Sequence, residues 1–247
     1  MALNFTDKTK DNEKVERFIT HYTSSQRILL VGEGDFSFSL CLARAFGSAK
    51  NMVATSLDSQ ATLFKNYQLA EVHLQKLKEL NCLILHEVDV KTMHEHDILK
   101  DMKFDRIIYN FPHAGHDLFF KERDKELIMR HMELVGAFFK VASKMLNEEG
   151  QVHVSHRDDY TYKLWRIEDL ANDAELVLKE KVVFSKWDYP GYSNKRGSGV
   201  LSDNEFPLID SFTFKFSLES SISTNSDDDD IEIPCMELML MLMAIGD

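Results

Sequence analysis

ILLVGEGDFS, residues 28–37, places two glycines one residue apart at the end of an apolar run. A backbone that turns tightly and lies against a ligand uses glycine because it carries no Cβ. Twenty-four residues past Gly34, a second apolar run ends in ATSLD at Asp58. A glycine turn followed by an acid at that distance is the arrangement of an adenosine-ribose site in a doubly wound sheet. Ser37 stands where a nicotinamide-binding turn would carry its third glycine. The stretch therefore indicates an adenosine-containing ligand without indicating a dinucleotide.

The spacing of apolar residues outward from this turn gives an alternating β/α order. Strands are expected at 27–31, 51–57, 82–88, 104–109 and 151–156. Helices are expected at about 11–21, 36–46, 59–80, 122–146 and 162–176. Past residue 177 the pattern changes. LKEKVVFSKW (178–187) and DSFTFKF (210–216) read as strands with no long helix between them. A mostly parallel sheet closed by an antiparallel C-terminal strand pair is the result. That addition distinguishes the Rossmann-like α/β sheet of class I S-adenosylmethionine-dependent methyltransferases from a nicotinamide Rossmann sheet.

Composition narrows the setting. The chain has 247 residues and a formal charge of −12, but residues 219–247 hold eight acids and no lysine or arginine. Residues 1–218 thus carry −4, and a body with that charge can still present a local basic surface to phosphates. Cys41, Cys82 and Cys235 are too few and too scattered for a disulfide framework, which suits a reducing compartment. The N-terminus has no apolar signal segment, and the apolar end of the chain is far short of a membrane span. Three parts are expected: an extension over 1–24, a catalytic domain over 25–218, and an acidic then apolar tail over 219–247 without reason to pack.

Five segments in order carry a family resemblance: VGEGDFSFSLCLA (31–43), ATSLDS (54–59), FDRIIYNFPHAG (104–115), HVSHR (153–157) and YPGYSNKRGSG (189–199). Together they resemble the BMT5-like family, whose members are S-adenosylmethionine-dependent uridine-N3 methyltransferases of large-subunit (25S-type) ribosomal RNA. The resemblance implies S-adenosyl-L-methionine as cofactor and ribosomal RNA or a pre-ribosomal particle as partner. It also implies a nucleolar or nuclear location, with the cytoplasm as alternative; a monomer is expected. His116, Arg157 and the acidic tail depart from the family pattern.

On that reading Gly32 and Gly34 let the backbone approach the methionine part of the cofactor. Glu33 and Asp35 complement its ammonium and sulfonium, where a pyrophosphate would be repelled. Asp58 accepts from the ribose hydroxyls, Ser56 flanks the nucleoside, and Asp89 meets the adenine amino group. Each has a structural alternative: a bare turn for the glycines, a helix cap for Asp35 and Asp58, a loop acid for Asp89. Asn110 offers a donor and an acceptor to a uracil edge, Pro112 stiffens the turn, and His113 accepts the N3 proton. His156, Arg157, Lys186, Tyr189, Tyr192, Lys195 and Arg196 are the candidate RNA contacts, by charge or by stacking. A strand-end turn and an aromatic cap on the sheet are the corresponding structural alternatives.

Ten histidines include the pairs His94/His96, His113/His116 and His153/His156, yet no HExxH or cysteine pattern completes a metal site. No metal is required. The competing functions are methylation of another RNA or of a small substrate, and a non-catalytic RNA-binding role in ribosome assembly.

Overall fold

A computed structural model of the chain describes residues 15–115, 120–197, 199 and 201–219. It begins with a small hairpin, β1 (Phe18–Ile19) and β2 (Tyr22–Thr23), where the apolar pattern suggests the end of a helix. Then come β3 (Ile28–Val31), α1 (Ser37–Phe46), β4 (Met52–Thr55), α2 (Gln60–Asn66), α3 (Ala70–Glu79) and β5 (Leu83–Leu85). The second half runs β6 (Phe104–Asn110), α4 (Lys125–Met145), β7 (Leu146–Arg157), α5 (Tyr160–Lys163), α6 (Ile167–Asn172), β8 (Leu176–Val183) and β9 (Ser211–Leu218).

Seven strands form one sheet in the order β5-β4-β3-β6-β7-β9-β8. The first five are mutually parallel, and β9 enters antiparallel between β7 and β8. β3 is buried along its whole length, as a central strand covered on both faces must be. The chain order reverses between β3 and β6, so their C-terminal ends open the crevice in which ligands of such sheets bind. This sheet is the class I methyltransferase arrangement expected from the sequence.

Two expected helices are broken, each at an inward-turned aromatic residue. The 59–80 helix stops at Tyr67, whose extended backbone (φ −136°, ψ 118°) buries the ring to 2 % exposure. The 162–176 helix is interrupted at Trp165, 1 % exposed, with Arg166 in the left-handed region at φ 53°. Both rings satisfy the apolar periodicity of a continuous helix, so the pattern alone gave no sign of the break. The acidic tail from 220 and the first fourteen residues lie outside the described residues.

The hairpin belongs to the folded unit rather than to an extension ending at residue 24. Tyr22 is 1 % exposed, and its hydroxyl donates to Nδ1 of the buried His153 at 3.1 Å. His153 in turn donates from Nε2 to Gln151 Oε1 at 3.1 Å, and burial holds this imidazole well below its ordinary pKa, hence neutral. His156, three residues on, lies against Tyr162 and Trp165 on the other face of β7. Tyr22→Ala is expected to cost about 3 kcal/mol in urea unfolding. An unchanged midpoint would put the hairpin outside the cooperative unit.

Candidate methyl-transfer site

The crevice at the ends of β3, β4 and β6 is a cleft lined by Gly32 to Asp35, by Ser56 to Asp58, and by Asn110, Phe111 and His113. Gly32 has φ +66°, and a Cβ there would come within 2.5 Å of Tyr109 Cε2, so the turn needs glycine twice over. At Gly34 a Cβ would press on the Tyr67 hydroxyl at 3.2 Å. Ser56 donates its hydroxyl to the Glu33 carbonyl at 2.7 Å, stitching the turn to the end of β4.

The two acids of the turn divide their work. The Glu33 carboxylate accepts from the backbone N–H of Ser39 at 3.1 Å and from its hydroxyl at 2.7 Å. It thereby meets first-turn amides of α1, and burial pushes its carboxyl up to about 7. Asp35 caps the same helix through Oδ1, which accepts from Ser37 N–H at 2.9 Å. Its second oxygen, Oδ2, is buried without a hydrogen-bond partner. The start of α1 therefore engages one carboxylate oxygen of each acid, Oε2 of Glu33 and Oδ1 of Asp35.

Asp58 is free of the capping role, because the cap of α2 is Ser59, which accepts from Thr62 N–H at 3.2 Å. Partial burial raises the Asp58 carboxyl. Asp89 does not join these groups. β5 ends at Leu85, and Asp89 accepts from Lys91 N–H at 2.9 Å in the following turn, outside the cleft lining.

At the end of β6 the Asn110 Oδ1 accepts the Ser155 hydroxyl at 2.7 Å, which fixes the amide plane. Its Nδ2 is buried without a hydrogen-bond partner. Phe111 follows at φ 49°, packed edge-on against Phe184 and Phe206. Such a conformation is strained for a bulky residue and turns the NFPH segment across the sheet edge. Pro112 and His113 line a second cavity, which shares Phe111, His113, Lys195 and Arg196 with the cleft.

With this geometry in view, residues 29–196 match a family described as rRNA (uridine-N3-)-methyltransferase BTM5-like. The chain belongs to the BMT5-like family. Heavy metal-associated isoprenylated plant protein 41 of Arabidopsis thaliana is 49% identical over 201 residues, which are 81% of this chain and 39% of that protein. The chain thus spans about two-fifths of that relative's length. An uncharacterized protein of the same plant is 46% identical over 203 residues, 82% of this chain and 97% of the relative. Among solved structures, a magnesium protoporphyrin IX methyltransferase from Synechocystis with bound S-adenosylmethionine is 14% identical. It covers 78% of this chain and 70% of its own, with a TM-score of 0.46.

The family is described by a methyltransferase activity, and the cleft fits S-adenosylmethionine as the methyl donor. The Asp35 Oδ2, without a hydrogen bond and 4.0 Å from His73 Nδ1, suits an ammonium, the Asp58 carboxylate suits paired hydroxyls, and Gly32 lets the backbone close in. An acidic cleft of this kind would repel a pyrophosphate.

The candidate RNA contacts divide sharply. Tyr189 is 3 % exposed, stacked on Phe184 and hydrogen-bonded to Thr20, so it is core and cannot stack on a base. Tyr192 packs edge-on against Phe38 and lines the cofactor cleft. His156 is buried with Nε2 on the Tyr162 carbonyl at 3.2 Å, and burial pushes its pKa down to about 4, so it holds no phosphate. Lys186 pairs with Glu205, Lys195 with Asp203 at 2.8 Å, and Arg157 with Asp159. Of these four cationic candidates, Arg196 alone makes no ion pair among the described residues.

The 189–199 segment therefore serves first as a roof over the cofactor cleft. Ser193 N–H donates to the Ser37 hydroxyl at 3.0 Å, and the Tyr67 hydroxyl donates to the Gly197 carbonyl at 3.1 Å. The neutralising acids Asp203 and Glu205 sit on the return of the same loop. Tyr67, Glu122, Phe206 and Pro207 are site residues that carried no motif signal. Tyr67 was legible only as one apolar position on a helix.

Glu33 gives the site a measurable pH signature. Its folded carboxyl titrates near 7, above the ordinary 4.5, so its contribution is full below 4.5 and is lost as pH rises through 7. The apo protein is expected to lose on the order of 3 kcal/mol across that window from this group. Glu33→Gln, which keeps an acceptor for Ser39, should flatten the difference. Parallel Tm-against-pH curves for the two proteins would show that Glu33 is ionised throughout.

Proposed function

We propose that the chain methylates N3 of a uridine in large-subunit ribosomal RNA. The observation that carries this reading is the second cavity beside the cofactor cleft. Its walls are Phe111, Pro112, Phe206 and Pro207, flat and apolar surfaces suited to a base, and Arg157 and Arg196 stand at its polar side. His113 lies between the two spaces. A uridine paired in a duplex hides N3, so the target is an unpaired or flipped base.

The cofactor supplies an electrophilic methyl group on its sulfonium. The protein supplies orientation and proton handling. Asn110 Nδ2 donates to a uracil carbonyl, its amide plane already fixed by Ser155. His113 receives the N3 proton, since N3 attacks through a lone pair that the proton otherwise occupies. The nucleolus or nucleus is the compartment this substrate implies.

The ion pairs at Lys186, Lys195 and Arg157 favour a second reading, a small substrate that needs few phosphate contacts. Incubation with methyl-labelled S-adenosylmethionine and protein-depleted total RNA separates the two. The expected product is 3-methyluridine from large-subunit RNA; label in small metabolites and none in RNA would reject the proposal. His113→Ala should cut transfer roughly 100-fold with cofactor affinity retained.

Arg196→Ala should weaken RNA binding and reduce the salt slope by about 1. Lys186→Ala, which removes a lysine already paired with Glu205, should move it much less. Filter binding over a salt series measures both, and equal effects would remove the distinction drawn from the ion pairs.

A further inference from the structure

We propose that Glu122 is a positioning residue for methyl transfer: its carboxylate accepts from Nε2 of His113, beside the buried ring of His131, and leaves Nδ1 of His113 as the proton-accepting atom. The proposal rests on the reading of His113 as proton acceptor. Glu122 lies just ahead of α4, and His131 lies on α4, so one segment supplies both partners to the NFPH turn. His113 Nε2 stands 3.0 Å from Glu122 Oε1, and His131 Nε2 stands 3.6 Å from Glu122 Oε2.

The backbone decides which nitrogen carries the hydrogen. Gly115 N–H donates to His113 Nδ1 at 3.1 Å, and Ala114 N–H donates to His131 Nδ1 at 3.0 Å. An Nδ1 that accepts an N–H carries a lone pair, so each neutral ring bears its hydrogen on Nε2. Both Nε2–H groups then face the same carboxylate. His131 is fully buried and stacked on Trp165 with centroids 4.0 Å apart, which makes it the rigid anchor of the clamp.

The same three side chains could be taken for a metal site, their ligand atoms lying within 4.8 Å of one another. Neutral imidazoles that bind a cation through Nε2 carry their hydrogen on Nδ1. Here that would set N–H against N–H at both rings. The hydrogen bond from His113 Nε2 to Glu122 Oε1, with His131 Nε2 facing Oε2 at 3.6 Å, keeps both Nδ1 lone pairs on the backbone N–H groups that meet them.

In the transfer step the N3–H bond breaks and its proton goes to His113 Nδ1. The N3–CH3 bond forms as the S–CH3 bond breaks, and that electron pair stays on sulfur. An N3–H arriving at Nδ1 replaces the Gly115 N–H with a donor of the same polarity. Gly115 has φ +98° and, among the described residues outside its chain neighbours, no heavy atom within 4 Å of its Cβ position. The imidazolium is formed against a carboxylate already in place, the logic by which an acid fixes a catalytic histidine in hydrolase triads.

The test uses the full chain labelled with 15N-histidine and read by two-bond 1H–15N correlation, with His113→Ala and His131→Ala for assignment. Nε2–H tautomers at both rings are expected in the wild type. In Glu122→Gln, the His113 ring should populate both tautomers. Turnover on protein-depleted RNA should then fall roughly 10- to 100-fold, with S-adenosylmethionine affinity within twofold and partial recovery in Glu122→Asp. An Nδ1–H tautomer at wild-type His113, or Glu122→Gln turnover equal to wild type, overturns the proposal. So does one equivalent of zinc chloride shifting both rings into metal-bound positions. Label on a nucleoside other than 3-methyluridine, with the same Glu122→Gln loss, retires the uridine reading and supports the clamp.

Discussion

Between the end of β3 and the start of α1 the chain reverses in five residues, and the helix amides this frees are met by carboxylates inside the protein. Glu33 reaches Ser39 and Asp35 reaches Ser37, both from within the turn itself. An N-terminus buried without partners would leave amides unsatisfied, at about 1–3 kcal/mol each. Meeting them locally lets α1 be almost wholly buried, with Phe38, Leu40 and Leu42 in the core. That burial brings the glycine backbone to the mouth of the crevice. The cofactor cleft is thus a consequence of how one helix is capped.

The same economy of charge governs the roof. A basic loop over an acidic cleft would otherwise be drawn onto it, and the acids Asp203 and Glu205 hold the lysines in place instead. Lys195 Nζ also reaches the Asp203 carbonyl at 2.8 Å. The aromatic residues of the segment complete the closure from beneath, Tyr189 on Phe184 and Tyr192 on Phe38. A segment that reads as an RNA grip in isolation packs over the cleft in context. The cation it leaves without an ion pair among the described residues is Arg196, which lines both cavities.

The sheet order was legible because it rests on local information: apolar runs, glycine turns, and the loss of helical pattern after residue 177. The turn at 32–35 and the NFPH segment were legible for the same reason, being contiguous and unusual. Tyr67 and Trp165 were not, since an inward aromatic satisfies a helical stripe whether or not the helix continues. The ion partners of Lys186 and Lys195 were hidden by the loop that separates them from Asp203 and Glu205. Asp89 was expected at the end of a strand over 82–88 because strand length was read from an apolar run, whereas β5 ends at Leu85 although Val88 and Val90 remain buried. Burial outlasted pairing, so the acid lies in a turn rather than at a strand end.

Two unpartnered polar atoms give the site its direction. Asp35 Oδ2 is an acceptor at the β3 side of the cleft, and Asn110 Nδ2 is a donor at the β6 side. An acceptor left unmet by the protein calls for a cation or a donor, and a donor left unmet calls for a carbonyl. On the proposed function, the methyl donor's ammonium would answer the first, beside His73 at 4.0 Å, and a uracil carbonyl would answer the second. Exchanging the two ligands would set like against like at both atoms. On that proposal the polarity of the cleft orders its occupants before any contact with the roof is considered, with methyl transfer between the ends of β3 and β6, where the chain order reverses.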